Sequence, residues 1–238
     1  GYPCDMDEIN QLAGKHHLIV IEDAAHALGA TYKGKPIGSL SRFTAFSFQA
    51  IKHLTTGDGG ALCCLRKADW QRGRSLRWFG ISRENSKPSI LGERVYDLTE
   101  IGYKYQTNDL AAAVGLGNLV DFKKNLAIRR KIAKYYRNVL KSVPGLTLLN
   151  YKNDRESAYW LFTVLVEKRE GFIRRLKSRG IRTSVVHLRI DRNSIFGGIT
   201  PGLSGQENFD RHQISIPLHD KLTDDDVNLI IKTIKKGW

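Results

Sequence analysis

The segment His17-Leu-Ile-Val-Ile21 decides the fold class, because this short β-branched run ends directly in Glu22 and Asp23. Such a run is typical of a strand that is buried on both faces of a parallel sheet. The preceding residues 5–14 begin with an aspartate, carry further acids early and stop at a glycine, which indicates a helix. A helix followed by a buried strand is part of a βαβ repeat, so the sequence predicts an α/β fold.

Alternating strand and helix patterns continue along the rest of the chain. We predict strands at 44–48, 61–65, 159–166 and 183–187, helices at 68–79, 109–116, 119–142, 171–179 and 224–236, and an irregular loop at 82–100. The long basic helix separates two groups of elements. We therefore predict two domains: residues 1–125 form part of a large domain with a mainly parallel sheet, and residues 126–238 form a small C-terminal α/β domain with the connecting helix.

The composition excludes several classes of protein. The apolar runs are only as long as strands, so no membrane span is expected. The three cysteines are odd in number and two are adjacent, and no signal peptide is visible, which together predict a reducing, cytoplasmic compartment. The net charge of +14 is spread along the chain without a nucleic-acid-reading motif. Nucleic acid is therefore not the expected main partner.

Three side chains that carry chemistry follow one another closely: Asp23 at the end of a strand, Ser47 on the next strand, and Lys52 just beyond it. Ligands of open α/β sheets bind at the carboxyl ends of the strands, where these groups can meet. A lysine amine can attack an aldehyde, a carboxylate can keep a ring nitrogen protonated, and a hydroxyl beside a glycine-rich bend can bind phosphate. A pyridoxal phosphate (PLP) site requires these three groups.

Each of these residues also has a purely structural interpretation. Asp23 can cap a helix that begins at Ala24, and an isolated Lys52 is most often a surface lysine. Ser47 can simply pack within its strand, and His26, three residues after Asp23, is most often a structural histidine. The residues alone leave both interpretations open.

Three longer stretches resemble the signatures of a known enzyme family, the nucleotide-sugar aminotransferases of the DegT/StrS type. They are Ile21-Glu-Asp-Ala-Ala-His-Ala-Leu-Gly29, Phe46-Ser-Phe-Gln-Ala-Ile-Lys-His-Leu-Thr-Thr-Gly-Asp-Gly-Gly60 and Gly102-Tyr-Lys-Tyr-Gln-Thr-Asn-Asp-Leu-Ala-Ala-Ala-Val-Gly115. Segments 185–198 and 216–219 are also similar to family segments. The resemblance covers the whole chain and implies a fold-type-I PLP-dependent transferase, with an incomplete large domain and a small C-terminal domain.

The resemblance implies a role for each matching position. Lys52 matches the lysine that forms the internal aldimine with PLP and moves the catalytic proton. Asp23 matches the carboxylate that pairs with the pyridine nitrogen, and Ser47 matches a ligand of the PLP phosphate. His26 lies where the family has Gln or His near the ring's phenolic oxygen. Lys104 replaces a common Asn at a position that reaches the phosphate from the neighbouring subunit.

The resemblance also implies a reaction and its partners. An amino acid, expected to be glutamate, donates an amino group that passes to a keto sugar carried on a nucleotide. His187 and Arg189 fall in a segment that borders the sugar-nucleotide site, and they are the weaker substrate candidates. A homodimer with shared sites is expected, without a metal ion. Histidine replaces the lysine in related dehydratases, so Lys52 favours amino transfer.

One departure from the family pattern creates an alternative. Family members carry a large N-terminal portion before a segment like Gly1-Tyr-Pro-Cys-Asp5, with a small-residue turn around the phosphate and an aromatic residue that stacks on the ring. We therefore expect the chain to be a fragment or a shortened homologue. The alternative function is a non-catalytic homologue that acts as a binding or interaction domain.

Overall fold

The structure, a computed structural model, describes residues 1–82 and 86–238. It contains two compact units. The first unit consists of Tyr2–Phe122 together with Asp154–Glu156, and the second consists of Gly1, Lys123–Asn153 and Ser157–Trp238. The boundary at residues 122 and 123 lies within one long helix, which also contains the predicted domain boundary after residue 125.

The helices and strands are numbered in chain order. They are α1 (Met6–Lys15), β1 (Ile21–Asp23), β2 (Thr31–Tyr32), β3 (Lys35–Pro36), β4 (Phe43–Ser47), β5 (Gly60–Cys64), α2 (Lys67–Leu76), β6 (Lys87–Pro88), β7 (Arg94–Val95), α3 (Asp109–Leu140), β8 (Leu146–Leu148), β9 (Arg155–Glu156), β10 (Phe162–Val166), α4 (Arg169–Lys177), α5 (Ser204–His212), β11 (Gln213–Ile216) and α6 (Asp224–Lys235). Two short 3-10 turns, Ile190–Arg192 and Ser194–Phe196, precede α5.

The main sheet of the first unit has the strand order β1-β4-β5. β1 and β4 are parallel, and Asp23 lies opposite Ala45. β5 returns antiparallel to β4 after a glycine-rich bend, with Ser47 opposite Gly60. The parallel pair brings the carboxyl ends of β1 and β4 to the same edge of the sheet, and this edge carries the candidate site.

The predicted buried strand at residues 17–21 is wrong in its extent and in its burial. The strand begins at Ile21, and the side chains of Leu18, Ile19 and Ile21 are all more than half exposed. Among the described strands, β1 pairs only with β4, so one of its edges has no strand neighbour. An apolar run can be buried on both faces only where more of the sheet and its helices cover it.

Two further sequence predictions differ from the structure. Residues 183–187 do not form a strand, because only Ser184 makes a single bridge, to Ser215, while β11 pairs along its length with β10. The two helices predicted at 109–116 and 119–142 form one continuous helix, α3, since its glycines are tolerated inside the helix. Of the predicted loop at 82–100, residues 83–85 lie outside the described residues, and a hairpin of β6 and β7 forms within the rest.

The second unit is built on an antiparallel sheet of order β11-β10-β8. Its core includes Tyr136 of α3, which is fully buried and meets the ring of Phe162 edge-to-face at 5.1 Å. The Tyr136 hydroxyl donates a hydrogen bond to the carbonyl of Pro217 (3.1 Å), so the buried polar atom has a partner. Burial raises the pKa of Tyr136 far above its ordinary value, which keeps the phenol neutral.

One arginine from late in the chain belongs to the first unit. The side chain of Arg155 on β9 is only 2% exposed and forms ion pairs with Asp5 and Asp154, each at 2.7 Å. It also donates to the carbonyl of Pro3 (3.0 Å), and its guanidinium lies 4.6 Å from the ring centre of Tyr32. These contacts satisfy a buried charge, and they raise the pKa of Arg155 above its ordinary value.

Helix α6 begins with a reciprocal cap that gives a testable pH dependence. The Thr223 hydroxyl accepts a hydrogen bond from the Asp226 backbone N–H (3.1 Å), and the Asp226 carboxylate accepts one from the Thr223 backbone N–H (3.0 Å). We expect Thr223→Ala to lower the free energy of unfolding by about 1 kcal/mol at neutral pH. Hydrogen bonds from the Thr223 side chain and backbone lower the pKa of Asp226 below its ordinary 3.8.

The sign of the pH effect follows from that lowered pKa. The contribution of Asp226 is complete above the unfolded-state pKa and is lost as the pH falls through the lower, folded-state pKa. In urea unfolding measured against pH, Asp226→Asn should therefore destabilise the protein near pH 7 and have less effect in acid. Asp225→Asn, in the same first turn, is the control. An equal pH dependence in both variants would contradict the capping role.

Candidate active site

Asp23 and Ser47 end the two parallel strands of the first unit. Asp23 lies opposite Ala45, two residues before Ser47, and its carboxylate is solvent-exposed. Asp23 Oδ1 accepts a hydrogen bond from the backbone N–H of Ala25 (3.1 Å), which closes a turn instead of capping a helix. A carboxylate has about four acceptor positions, so this one bond leaves Asp23 able to accept a proton donor from a ligand.

Successive hydrogen bonds fix the conformation of the backbone between Ser47 and Lys52. The Ser47 hydroxyl accepts from the backbone N–H of Gln49 (3.3 Å), and the Gln49 side-chain oxygen accepts from the backbone N–H of Ile51 (3.1 Å). The Gln49 carbonyl then accepts from the backbone N–H of Lys52 (2.9 Å). Lys52 is half-buried. These bonds fix the direction in which the chain leaves β4.

Residues 48–59, here called the lysine loop, close back on their own first residue. The Phe48 carbonyl accepts from the Thr56 backbone N–H (2.9 Å) and from the Thr55 hydroxyl (3.2 Å), and the Phe48 N–H donates to the Gly59 carbonyl (2.8 Å). Gly59 has a φ of +155°, and a Cβ there would lie 2.5 Å from the Thr56 hydroxyl. The glycine-rich bend therefore permits a closure that a larger residue would prevent.

The other two expected cofactor residues of this unit lie on turns and irregular segments. His26 is half-buried in the turn that follows β1. Lys104 is exposed and forms a single antiparallel bridge with Trp78. The residues on either side of Lys104 also bond to the end of α2: the Tyr103 N–H donates to Leu76 (2.6 Å). The backbone of Lys104 is thus held, whereas its side chain faces solvent.

His187 and Arg189 belong to the second unit. Arg189 is only 6% exposed, and its guanidinium makes two hydrogen bonds to the Asp191 carboxylate (2.7 and 2.6 Å) and one to the Thr200 carbonyl (3.0 Å). The Arg189 side chain and the Thr200 N–H hold the pKa of Asp191 well below its ordinary value. Arg189 therefore organises its own loop, while His187 is exposed, with its ring 5.9 Å from that of Trp160.

The structure thus brings four expected residues to one sheet edge and the turns that leave it: Asp23, His26, Ser47 and Lys52. Two further residues were missed by sequence reasoning. Gln49 organises the step from Ser47 to Lys52, and its position between them was the available signal. Asn118 of α3 donates from its side chain to the Thr55 carbonyl (3.0 Å). Because Asn118 is distant in sequence from the lysine loop, no local pattern could have revealed this contact.

Comparison with known proteins identifies the family of the chain. The sequence profile of the family described as "DegT/DnrJ/EryC1/StrS aminotransferase family" matches residues 1–235. The chain belongs to this family. Family membership confirms the resemblance inferred from the motifs at residues 21–29, 46–60 and 102–115.

Relatives of this DegT/StrS-type chain include two named bacterial proteins. The spore coat polysaccharide biosynthesis protein SpsC of Bacillus subtilis is 34% identical over 99% of this chain and 64% of its own length. A Campylobacter jejuni protein, UDP-4-amino-4,6-dideoxy-N-acetyl-beta-L-altrosamine transaminase, is 29% identical over 100% of this chain and 65% of its own. The chain thus spans just under two thirds of the length of these curated relatives.

Solved structures confirm the predicted fold class. The sugar aminotransferase CalS13 from Micromonospora echinospora is similar with a TM-score of 0.92 and 34% identity, over 100% of this chain and 65% of that protein. The DegT/StrS-type chain therefore has the α/β fold of fold-type-I PLP aminotransferases. Within residues 1–82 and 86–238, no helix is both long and apolar enough to cross a bilayer.

Proposed function

We propose that this chain carries the PLP-binding core of a sugar aminotransferase, which transfers an amino group from an amino acid, glutamate in our proposal, to a keto sugar carried on a nucleotide. Its membership of the DegT/DnrJ/EryC1/StrS family supports amino transfer, and the named activity of the Campylobacter jejuni relative supports a nucleotide sugar as the acceptor. The observation that carries the proposal is the parallel pairing of β1 and β4, because it sets Asp23 and the start of the lysine loop at one sheet edge.

The chemistry of the side chains at this edge fits PLP. Asp23 has an exposed carboxylate that can pair with a protonated pyridine nitrogen, and Lys52 has an amine that can bind the cofactor's aldehyde. The Ser47 hydroxyl already accepts from the Gln49 N–H and still has a proton to donate to a phosphate oxygen. His26 and Lys104 supply further hydrogen-bond donors for the phenolic oxygen and the phosphate. Each polar group of PLP would thus have at least one donor or acceptor among these residues.

The roles of the residues follow from these chemical properties. Bound PLP supplies a ring that accepts electrons from the bond being broken at the substrate carbon. Asp23 keeps the ring nitrogen protonated, which maintains that capacity. Lys52 would hold the cofactor through its amine, and the same amine, when not bound to the cofactor, would move the proton at the substrate carbon. One water would supply the oxygen of the keto acid that the donor becomes, and the oxygen of the sugar's keto group would leave as a second water, so that the amino group and the keto oxygen exchange places overall.

We further propose that the functional unit is a homodimer. Helix α3 presents apolar side chains to solvent along its first half: Leu110, Val114, Leu116, Leu119 and Val120 are between 48% and 83% exposed. Several exposed apolar side chains on one stretch of helix are typical of a surface that another protein surface covers. A second copy would cover it, and Lys104 would then be available to a partner's site, as the family resemblance implies.

The remaining elements of the proposal concern substrate and compartment. His187, in the second unit, is exposed and can contact the nucleotide sugar. Arg189 would act there through the loop that it holds, since its guanidinium is bonded to Asp191 and Thr200. The thiols of Cys4, Cys63 and Cys64 are unpaired, which supports a reducing, cytoplasmic compartment.

The test of the proposal is cofactor binding by the purified chain. On addition of PLP we expect the visible absorbance of lysine-bound PLP, and borohydride reduction should fix the cofactor mass on the peptide that contains Lys52. Circular dichroism of the same sample establishes that it is folded. A folded sample that neither absorbs nor retains the label on this peptide would favour the non-catalytic alternative.

Asp23→Asn should weaken the site without removing the attachment point. A hydrogen bond to a charged partner contributes about 1.5–3 kcal/mol, so we expect PLP affinity or turnover to fall by about 10- to 100-fold. Equilibrium titration with PLP measures the affinity, and Asp58→Asn in the lysine loop is the matched control. Equal affinities and rates for wild type and Asp23→Asn would remove Asp23 from the proposed role.

A further inference from the structure

We propose that Gly115 and Asn118 of α3 are positioning residues that hold the lysine loop, and with it the backbone of Lys52, against the sheet edge. This inference rests on the proposed function of Lys52. It concerns two residues that take no part in binding the cofactor or the substrate in the proposal above, and it makes α3 part of the active-site scaffold.

The first contact is a hydrogen bond that fixes one arm of the loop. The Asn118 side-chain amide donates to the Thr55 carbonyl at 3.0 Å. The hydroxyl of Thr55, by contrast, bonds within the loop. The Thr55 hydroxyl donates to the Phe48 carbonyl (3.2 Å) and accepts from the Gly57 N–H (2.8 Å). The bond from Asn118 therefore acts on a residue that is already tied to both the start and the end of the loop.

The second contact is steric and lies one helical turn earlier. A Cβ at Gly115 would lie 2.7 Å from the Thr56 methyl carbon Cγ2, so only glycine allows α3 to approach this closely. Residues three apart share one face of a helix, which puts Gly115 and Asn118 on the side that meets Thr55 and Thr56. The helix thus contacts two consecutive loop residues by two independent means.

These contacts affect Lys52 because the loop is closed behind it. The Phe48 carbonyl accepts from both Thr55 and Thr56, so the two threonines and Phe48 form the neck of a closed loop. Lys52 lies within this loop, and its own N–H is bonded to the Gln49 carbonyl. Loosening the neck would allow the whole loop to move relative to β4. A displacement of about 1 Å at a reacting group can lower a rate by about 100-fold.

The experiment measures amide hydrogen exchange of the full chain without added PLP. We expect Asn118→Leu to accelerate exchange at the Lys52 and Thr56 N–H groups by about fivefold, which corresponds to the loss of one ordinary hydrogen bond. Asn118→Gln, which keeps an amide donor, should recover part of the protection. Asn125→Leu makes the same chemical change further along α3 and is the matched control.

A second variant and a second readout protect the test against misfolding. Gly115→Ala should accelerate amide exchange in the lysine loop to a similar extent. In both Asn118→Leu and Gly115→Ala, the rate at which the Lys52 amine is acylated, followed by peptide mass spectrometry, should also differ from the wild-type rate. Unchanged exchange at residues 48–59 in Asn118→Leu and Gly115→Ala would overturn the inference. So would an equal acceleration throughout β4 and β5, since that would indicate a merely structural contact.

Neither the hydrogen-exchange measurement nor the acylation measurement requires the cofactor. Both can therefore be interpreted separately from the PLP-binding test of the proposed function. Absence of PLP binding by the folded wild-type chain, with faster loop exchange in Asn118→Leu, would refute the enzyme proposal and leave the positioning contact established. PLP binding to Lys52 together with unchanged exchange would refute only the positioning role.

Discussion

Lys52→Ala is expected to abolish covalent retention of PLP and to lower any transamination rate by at least about 1,000-fold. In the proposed reaction Lys52 would supply both the amine that binds the aldehyde and the base that moves the substrate proton, and general acid–base catalysis alone contributes about 100- to 10,000-fold. The structure gives Lys52 a half-buried place in a closed loop beside the end of β4. No neighbouring lysine shares this loop, since residues 48–59 contain one lysine only.

The measurement is borohydride trapping followed by peptide mass mapping, with single-turnover kinetics where a donor amino acid is accepted. Lys52→Arg separates charge from chemistry, because guanidinium keeps the positive charge but does not act as an amine nucleophile. Lys67→Ala, at the exposed start of α2, controls for nonspecific labelling. Retention of the PLP label by Lys52→Ala at the wild-type level would refute the assignment.

Phe172→Ala is expected to lower the free energy of unfolding of the second unit by about 3–5 kcal/mol. Phe172 of α4 is fully buried and meets the ring of Trp238 edge-to-face at 4.9 Å. Trp238 in turn donates from its ring nitrogen to the Glu167 carbonyl (2.6 Å). Truncation would therefore leave a cavity and also remove the surface on which the C-terminal tryptophan packs.

Urea unfolding followed by tryptophan fluorescence measures this loss, because Trp238 reports on the affected core. Phe196→Ala removes the same ring from a side chain that is 56% exposed and should change stability by less than about 0.5 kcal/mol. Similar unfolding free energies for Phe172→Ala and Phe196→Ala would show that the core of the second unit does not depend on Phe172.

The sequence predicted the type of most elements because their signals are local. The motif around Asp23 and the strand before Lys52 have local periodicity and turn residues, and the family motifs confirm the fold class that they indicate. Burial of β1 was predicted wrongly because it depends on sheet neighbours that a local pattern does not contain. Leu18 and Ile21 are apolar enough for a core position, yet both are exposed in the described structure.

The candidate site divides in the same way. Asp23, Ser47 and Lys52 could be identified because each lies at or near the end of a predicted strand, and the structure locates them near one edge. Their roles toward PLP stay predictions. The contact of Asn118 with Thr55 could not be foreseen, since α3 and the lysine loop meet only after folding. Arg189 could be singled out by its motif, but only the structure reveals that its guanidinium is hydrogen-bonded to Asp191.

The placement of Arg155 has a practical consequence for dissecting the protein. The chain leaves the first unit after Phe122 and re-enters it at Asp154–Glu156, so neither unit is a single uninterrupted stretch of sequence. A fragment that ends in the middle of α3 would lack Arg155. Asp5 would lose its ion pair with the Arg155 guanidinium, and the ring of Tyr32 would lose its contact with the same group. Separate expression of the two units would therefore require a rejoined or permuted gene. A simple series of deletions would destabilise the first unit by removing Arg155, and this loss would not reflect a weakness of the intact protein.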